Sequence, residues 1–224
     1  MSLLENLTGK SVELMPQTRT WAQGYHSLQA ACYQDQQAGL SVLHPTHVLD
    51  GEAIYRPLTV EEIMLARLNN WDLGTRWDDS CSSITYGPNG LFKISLISDA
   101  LLHIHERARP SLIIVEYDSL VADGINVQEF NGADGLYNTL LTKAQAKAHP
   151  VWQFAGRNTL DQYVERQWEG QSSNYTAMNT HLVPNLPVGE TRALFVKSHG
   201  DSNLIGGWND SGGSFTRVMS SRAQ

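Results

Sequence analysis

Long apolar runs are missing from this 224-residue chain. None approaches the roughly 18 residues needed to cross a bilayer. The opening MSLLENLTGKSVEL has no charged leader followed by an apolar stretch, so neither a membrane span nor a signal peptide is read. Basic charge is also short: 16 Lys and Arg stand against 23 Asp and Glu, a formal net charge of −7 with no basic block. A phosphate-neutralising surface needs the opposite balance, which argues against nucleic acid as a partner. Cysteine is scarce. Cys32 and Cys81 alone make neither a disulfide framework nor a zinc site, although one isolated bridge stays open. GxSxG, Walker, GxGxxG and HExxH patterns are all absent, so no motif names an enzyme class or a cofactor.

What remains suffices for a core. Hydrophobic residues make up 41% and charged residues 17% of the chain, a globular composition. At about 150 residues per domain, and with Trp and Tyr spread along most of the length and no repeat, one continuous domain over 1–224 is expected.

Three capping boxes mark helix starts, each a Thr with Glu or Gln three residues on. Thr59-Val60-Glu61-Glu62 opens a helix with Val60, Ile63, Met64 and Leu68 on one face. Thr142-Lys143-Ala144-Gln145 opens a short one that must stop near His149, before Pro150. Thr159-Leu160-Asp161-Gln162 precedes Tyr163, Val164 and Trp168 at helical spacing, and 97–108 is a fourth, uncapped candidate. Strands are expected at 91–96, after the turn Gly87-Pro88-Asn89-Gly90, and at 111–117, 193–197 and 214–219. Central helices with scattered strands read as α+β.

Chemistry candidates are thin. His44 with His47, and His103 with His105, invite a metal, but the second pair falls in the fourth helix, where i and i+2 do not share a face. Cys81 has Asp78 and Asp79 as its nearest charges, which oppose thiolate formation. Glu61-Glu62 read as helix N-terminal charges and Asp78-Asp79 as turn residues. The segment from Ser198 to Gly212 differs: only Leu204, Ile205 and Trp208 are apolar. It reads as a long polar loop between two strands, the usual construction of a binding surface. A solvated loop with no partner has the same composition.

Three ordered pieces resemble the archaeal variable proteins of diversity-generating retroelements, found in nanoarchaeota-like archaea and their viruses. The first is Asp78-Asp79-Ser80-Cys81-Ser82-Ser83-Ile84-Thr85-Tyr86-Gly87 with Phe92-Lys93-Ile94. The second is Tyr137-Asn138-Thr139-Leu140-Leu141-Thr142-Lys143 with His149-Pro150-Val151-Trp152. The third is Arg192-Ala193-Leu194-Phe195-Val196, the polar segment, then Gly213-Ser214-Phe215-Thr216-Arg217-Val218. The resemblance implies a C-type-lectin-like fold with added helices, whose segment 198–216 is rewritten by an error-prone reverse transcriptase. Misread template adenines turn AAC codons into NNC codons. Every residue from Ser198 to Gly212 except Trp208 belongs to the NNC set, although polar turns favour many of the same residues.

The resemblance thus implies a non-enzymatic, receptor-like protein that uses no cofactor. Its ligand-binding positions would be His199, Asp201, Asn203, Ile205, Asn209, Ser211 and Gly212, with Trp208 beside them. The implied partner is a protein or surface ligand of another cell, met by display on a cell or virus surface through a further protein. A second resemblance, to calcium-dependent lectins, rests on Val183-Pro184-Asn185, Glu190 and Trp208-Asn209-Asp210. Those oxygens suit Ca²⁺, but Val183 stands where the lectin pattern has its first Glu, so no metal is expected. The rival enzyme class is the formylglycine-generating type, which shares the fold and depends on reactive cysteines.

Overall fold

A computed structural model describes Leu7 and residues 10–69, 77–104, 113–137, 139–172, 177–182, 186–197, 202–206 and 214–219. The helices are α1 (Trp21–Gln37), α2 (Val60–Asn69), α3 (Asp99–Leu102), α4 (Lys143–Ala148), α5 (Pro150–Gly156) and α6 (Leu160–Gln167). The first strands are β1 (Ser11–Leu14), β2 (Thr46–Leu49), β3 (Glu52–Tyr55), β4 (Trp77–Tyr86), β5 (Leu91–Ser95) and β6 (Ile113–Ile114). Then come β7 (Val127–Asn131), β8 (Thr139–Leu141), β9 (Met178–His181), β10 (Glu190–Lys197), β11 (Ser202–Gly206) and β12 (Thr216–Met219).

Two of the three capping boxes form. Thr59 N–H donates to the Glu62 carboxylate at 2.7 Å and Glu62 N–H donates to Thr59 Oγ1 at 3.3 Å, opening α2. Thr142 and Gln145 close the same reciprocal pair on α4. That helix ends at Ala148, and Pro150 starts α5 from its first turn, where a missing N–H costs nothing. The third box does not form. Thr159 already has helical backbone angles, φ −85° and ψ −19°, because a 3-10 turn over Arg157–Thr159 leads into α6. Its side chain therefore caps nothing.

Other expectations are corrected. Within the described residues the 97–108 helix is the single turn α3. Of the expected 111–117 strand, 111 and 112 lie outside the described residues, and 113–117 hold only β6, followed by a 3-10 turn over Tyr117–Ser119. Asp78 and Asp79 are not turn residues; both are buried inside β4. The 17-residue α1 was not anticipated, because its Gln-rich outer face hides the apolar stripe Trp21, Ala22, Tyr25, Leu28 and Cys32. Its Thr20 side chain accepts from Gln23 N–H, a T-x-x-Q start of the same kind as the others.

An eight-stranded sheet runs β7-β5-β4-β10-β11-β9-β8, with β6 paired to the start of β10. All pairings in it are antiparallel except β11 with β9. The main core packs α2, α5 and α6 on this sheet through Ile63, Met64, Trp152, Tyr163, Leu194 and Leu204. A second cluster joins α1 to Phe215 and Ala193. Phe215 sits edge-on to Trp21 at 5.5 Å, and its ring lies where a Cβ on Gly24 would be, 2.3 Å away. Finally β1 pairs antiparallel with β12, Val12 opposite Val218, tying the two ends of the described chain together.

Candidate functional site

The segment read as a polar loop contains a strand. β11 pairs Leu194–Lys197 of β10 on one side and all of β9 on the other. Leu204 is fully buried, in register with Val196 and Thr180, which are equally buried. The loop expectation therefore fails over 202–206. One inward Leu in Ser-Asn-Leu-Ile-Gly is enough, since a strand needs only alternate residues in the core. Gly206 belongs to the fit: a Cβ there would meet Ile84 Cγ2 at 2.8 Å.

Of the expected ligand positions, Asn203 and Ile205 lie on this strand. His199, Asp201, Trp208, Asn209, Ser211 and Gly212 fall outside the described residues. Register places position 203 between Lys197 and Asn179, and position 205 between Phe195 and His181. Faces alternate along a strand, so these two rows lie opposite the core row of Val196, Leu204 and Thr180.

Both ends of 198–213 are anchored by one buried device. Arg67, on α2, donates to Asp78 Oδ2 from Nε at 3.0 Å and from a terminal nitrogen at 2.8 Å. It also donates to Tyr163 Oη at 3.0 Å and to the carbonyls of Val196 at 2.6 Å and Lys197 at 3.3 Å. Those carbonyls are the last before the segment begins. At the far end Ser214 bridges to Asp78 in parallel, taking the Asp79 N–H at 2.9 Å and donating to the Trp77 carbonyl at 2.8 Å. Both side chains of the ion pair are at most 2% exposed. Burial pushes the Asp78 carboxyl above its ordinary range, against the pull of Arg67.

Sequence reasoning missed this pair although a signal existed. Arg67 follows Val60 and Ile63 at helical spacing, on the same face of α2. A cation on a core-facing stripe requires a buried anion, although Glu62 and Asp72 stand nearer in sequence than Asp78, so the stripe alone does not name the partner.

The remaining candidates resolve locally. Cys32 and Cys81 are both free and buried, their thiols pushed up by burial to about 11 and about 12. Both are poor nucleophiles at neutral pH. His44 is enclosed: Val218 N–H donates to Nδ1 at 3.2 Å, and Nε2–H donates to the Arg56 carbonyl at 2.6 Å. Arg56 in turn holds Glu62 through two nitrogens at 2.7 and 2.8 Å. His47 meets Asp99 and His103 meets Asp50, each at 2.9 Å. Among the described residues no three His, Cys, Asp or Glu side chains are grouped to hold a metal. Glu190, of the calcium-lectin set, is buried and its carboxylate takes Arg192 at 2.7 Å.

Comparison with known proteins now bears on the architecture. One solved structure, of a Nanoarchaeota protein described as accommodating massive sequence variation by the C-type lectin fold, superposes with a TM-score of 0.62. The match covers 96% of this chain and 100% of that one, at 14% identity. This chain has a C-type-lectin-like fold. No family model and no curated protein matches it. In the lectin-like frame the tied ends are β1 with β12, and α2, α5 and α6 pack against the sheet. No described helix is long and apolar enough to cross a membrane.

Proposed function

We propose that this chain is a non-enzymatic ligand-binding variable protein. Its changeable surface lies within segment 198–216, and the rest of the lectin-like fold, with Leu204, Ser214 and Phe215 of that segment, is a fixed support. The observation that carries this reading is the split between anchor and segment. Arg67 and Asp78 hold residues 196, 197 and 214 from the buried side, while positions 203 and 205 occupy rows on the opposite side of the sheet. A strand so placed tolerates change on one face without surrendering core contacts on the other. The fold similarity to a Nanoarchaeota protein described in terms of sequence variation supports the same reading. Diversification by a retroelement accounts for the NNC-compatible residues.

The test lies in the neighbouring DNA. A near-copy of the codons for 198–216, with adenines at the varying positions, is expected beside a reverse transcriptase gene. Absence of such a repeat removes the diversification reading and leaves the fold.

A further inference from the structure

Two rows of the sheet that hold positions 203 and 205 continue into strands outside segment 198–216. The first row runs Trp77, Lys197, Asn203, Asn179, Leu140 across β4, β10, β11, β9 and β8. The second runs Phe195, Ile205, His181. Four strand spacings of about 4.8 Å make the first row roughly 19 Å long. Its ends are apolar and open: Trp77 is 39% and Leu140 61% exposed. Near the Trp77 end the Lys197 ammonium lies over the Trp77 ring at 5.4 Å, with Phe195 edge-on to that ring at 5.0 Å. Among the described residues no carboxylate pairs with Lys197, and the acid in register with Phe195, Asp79, is buried. Asn179 Oδ1 has no hydrogen-bond partner among the described residues.

We infer that Trp77, Lys197, Asn179 and Leu140 form a constant part of the ligand surface, and that this part takes an extended acidic peptide segment of a partner protein. The inference rests on the function proposed above. Charge selects the partner: on a chain of net charge −7 this face offers a cation seated on an aromatic ring, the setting that attracts a carboxylate. Length agrees, since about 19 Å is five to six extended residues at roughly 3.4 Å each. Apolar contacts at both ends, with an amide between them, match a peptide that carries apolar side chains on either side of its acid. The changing positions 203 and 205 would then select among partners that all share the acidic anchor.

The experiment selects binders to the full chain from a displayed library of random 12-residue peptides, with a glycan array in parallel. Enriched peptides are expected to carry Asp or Glu flanked by apolar residues. Trp77→Ala and Lys197→Glu should each weaken them at least tenfold, Lys197→Arg should retain them, and Val121→Ser, on an exposed distant residue, should change nothing. Asn203→Asp and Ile205→Thr should change which peptides win. Lys197→Glu decides alone if Trp77→Ala fails to fold by circular dichroism. Peptides that respond to positions 203 and 205 but not to Lys197→Glu overturn this inference and leave the proposed function standing. Absence of any enriched peptide or glycan over a blank surface overturns both. Glycans bound in place of peptides, and lost with Lys197→Glu, overturn the peptide partner.

Discussion

At the scale of single residues, Arg67 does more than its position on a helix suggests. Its guanidinium donates to Asp78 Oδ2, Tyr163 Oη and two backbone carbonyls at once. Removing one member of a buried pair leaves an uncompensated charge, costing about 3–5 kcal/mol. Arg67→Met and Asp78→Asn should each lose stability on that scale in chemical denaturation. Limited proteolysis should then cut within 198–213 before any other site. His44 gives a pH signature. Burial lowers its pKa from 6.5 to about 3, so between those values the unfolded chain binds a proton that the folded chain refuses. Stability therefore falls as pH drops from about 6.5 towards 3. His149, lowered by burial to about 4, acts in the same direction. His44→Gln, which does not titrate, should be less stable at pH 7 yet show a shallower loss from pH 6.5 to 4. An unchanged slope would remove His44 from the account.

At the scale of elements, β11 separates what sequence can and cannot say. Thr59 and Thr142 announced their helices because a capping box is local chemistry, complete within four residues. The 193–197 and 214–219 strands were also legible, as β10 and β12. β11 was not, because its stability is supplied by β10 and β9, and only Leu204 records its burial in the sequence. The two-residue β6 owes its existence to pairing with Glu190 and Thr191. Thr159 failed as a cap because the preceding turn, invisible to a four-residue pattern, had already set its backbone. Leu204→Ala should cost about 2–5 kcal/mol, a penalty that a solvated loop would not show. Gly24→Ala should destabilise as well, against the usual gain for Ala in a helix, because the Phe215 ring occupies the space. Denaturation midpoints of both variants at unchanged m-value check these statements.

At the scale of the whole molecule, the proposed function requires that the lectin-like frame and the surface it presents be separable. Several elements of the frame followed from caps and alternating strands, while its lectin-like architecture was implied only by the resemblance of three ordered pieces; the anchor at Arg67 and Asp78 followed from neither, because its partners are distant in sequence. The frame is expected to stand without calcium. Glu190 is already committed to Arg192, and in the resemblance to calcium-dependent lectins Val183 takes the place of the first Glu. Millimolar Ca²⁺ or EDTA should leave the melting temperature unchanged. A site filled at 100 times its dissociation constant would instead add about 2.7 kcal/mol, readily seen as a rise.

The central claim, a fixed support under a changeable surface, is tested most directly by denaturing one multiple variant. His199, Asp201, Asn203 and Ser211 are replaced together by other NNC-encoded residues, and urea unfolding is compared with the parent chain and with Leu204→Ala. Surface substitutions usually cost within about 0.5 kcal/mol each. The fourfold variant should therefore stay within about 1–2 kcal/mol of the parent at the same m-value, while Leu204→Ala falls by about 2–5 kcal/mol. A fourfold variant that loses as much stability as Leu204→Ala, or more, would make the segment structural and contradict the binding-surface account.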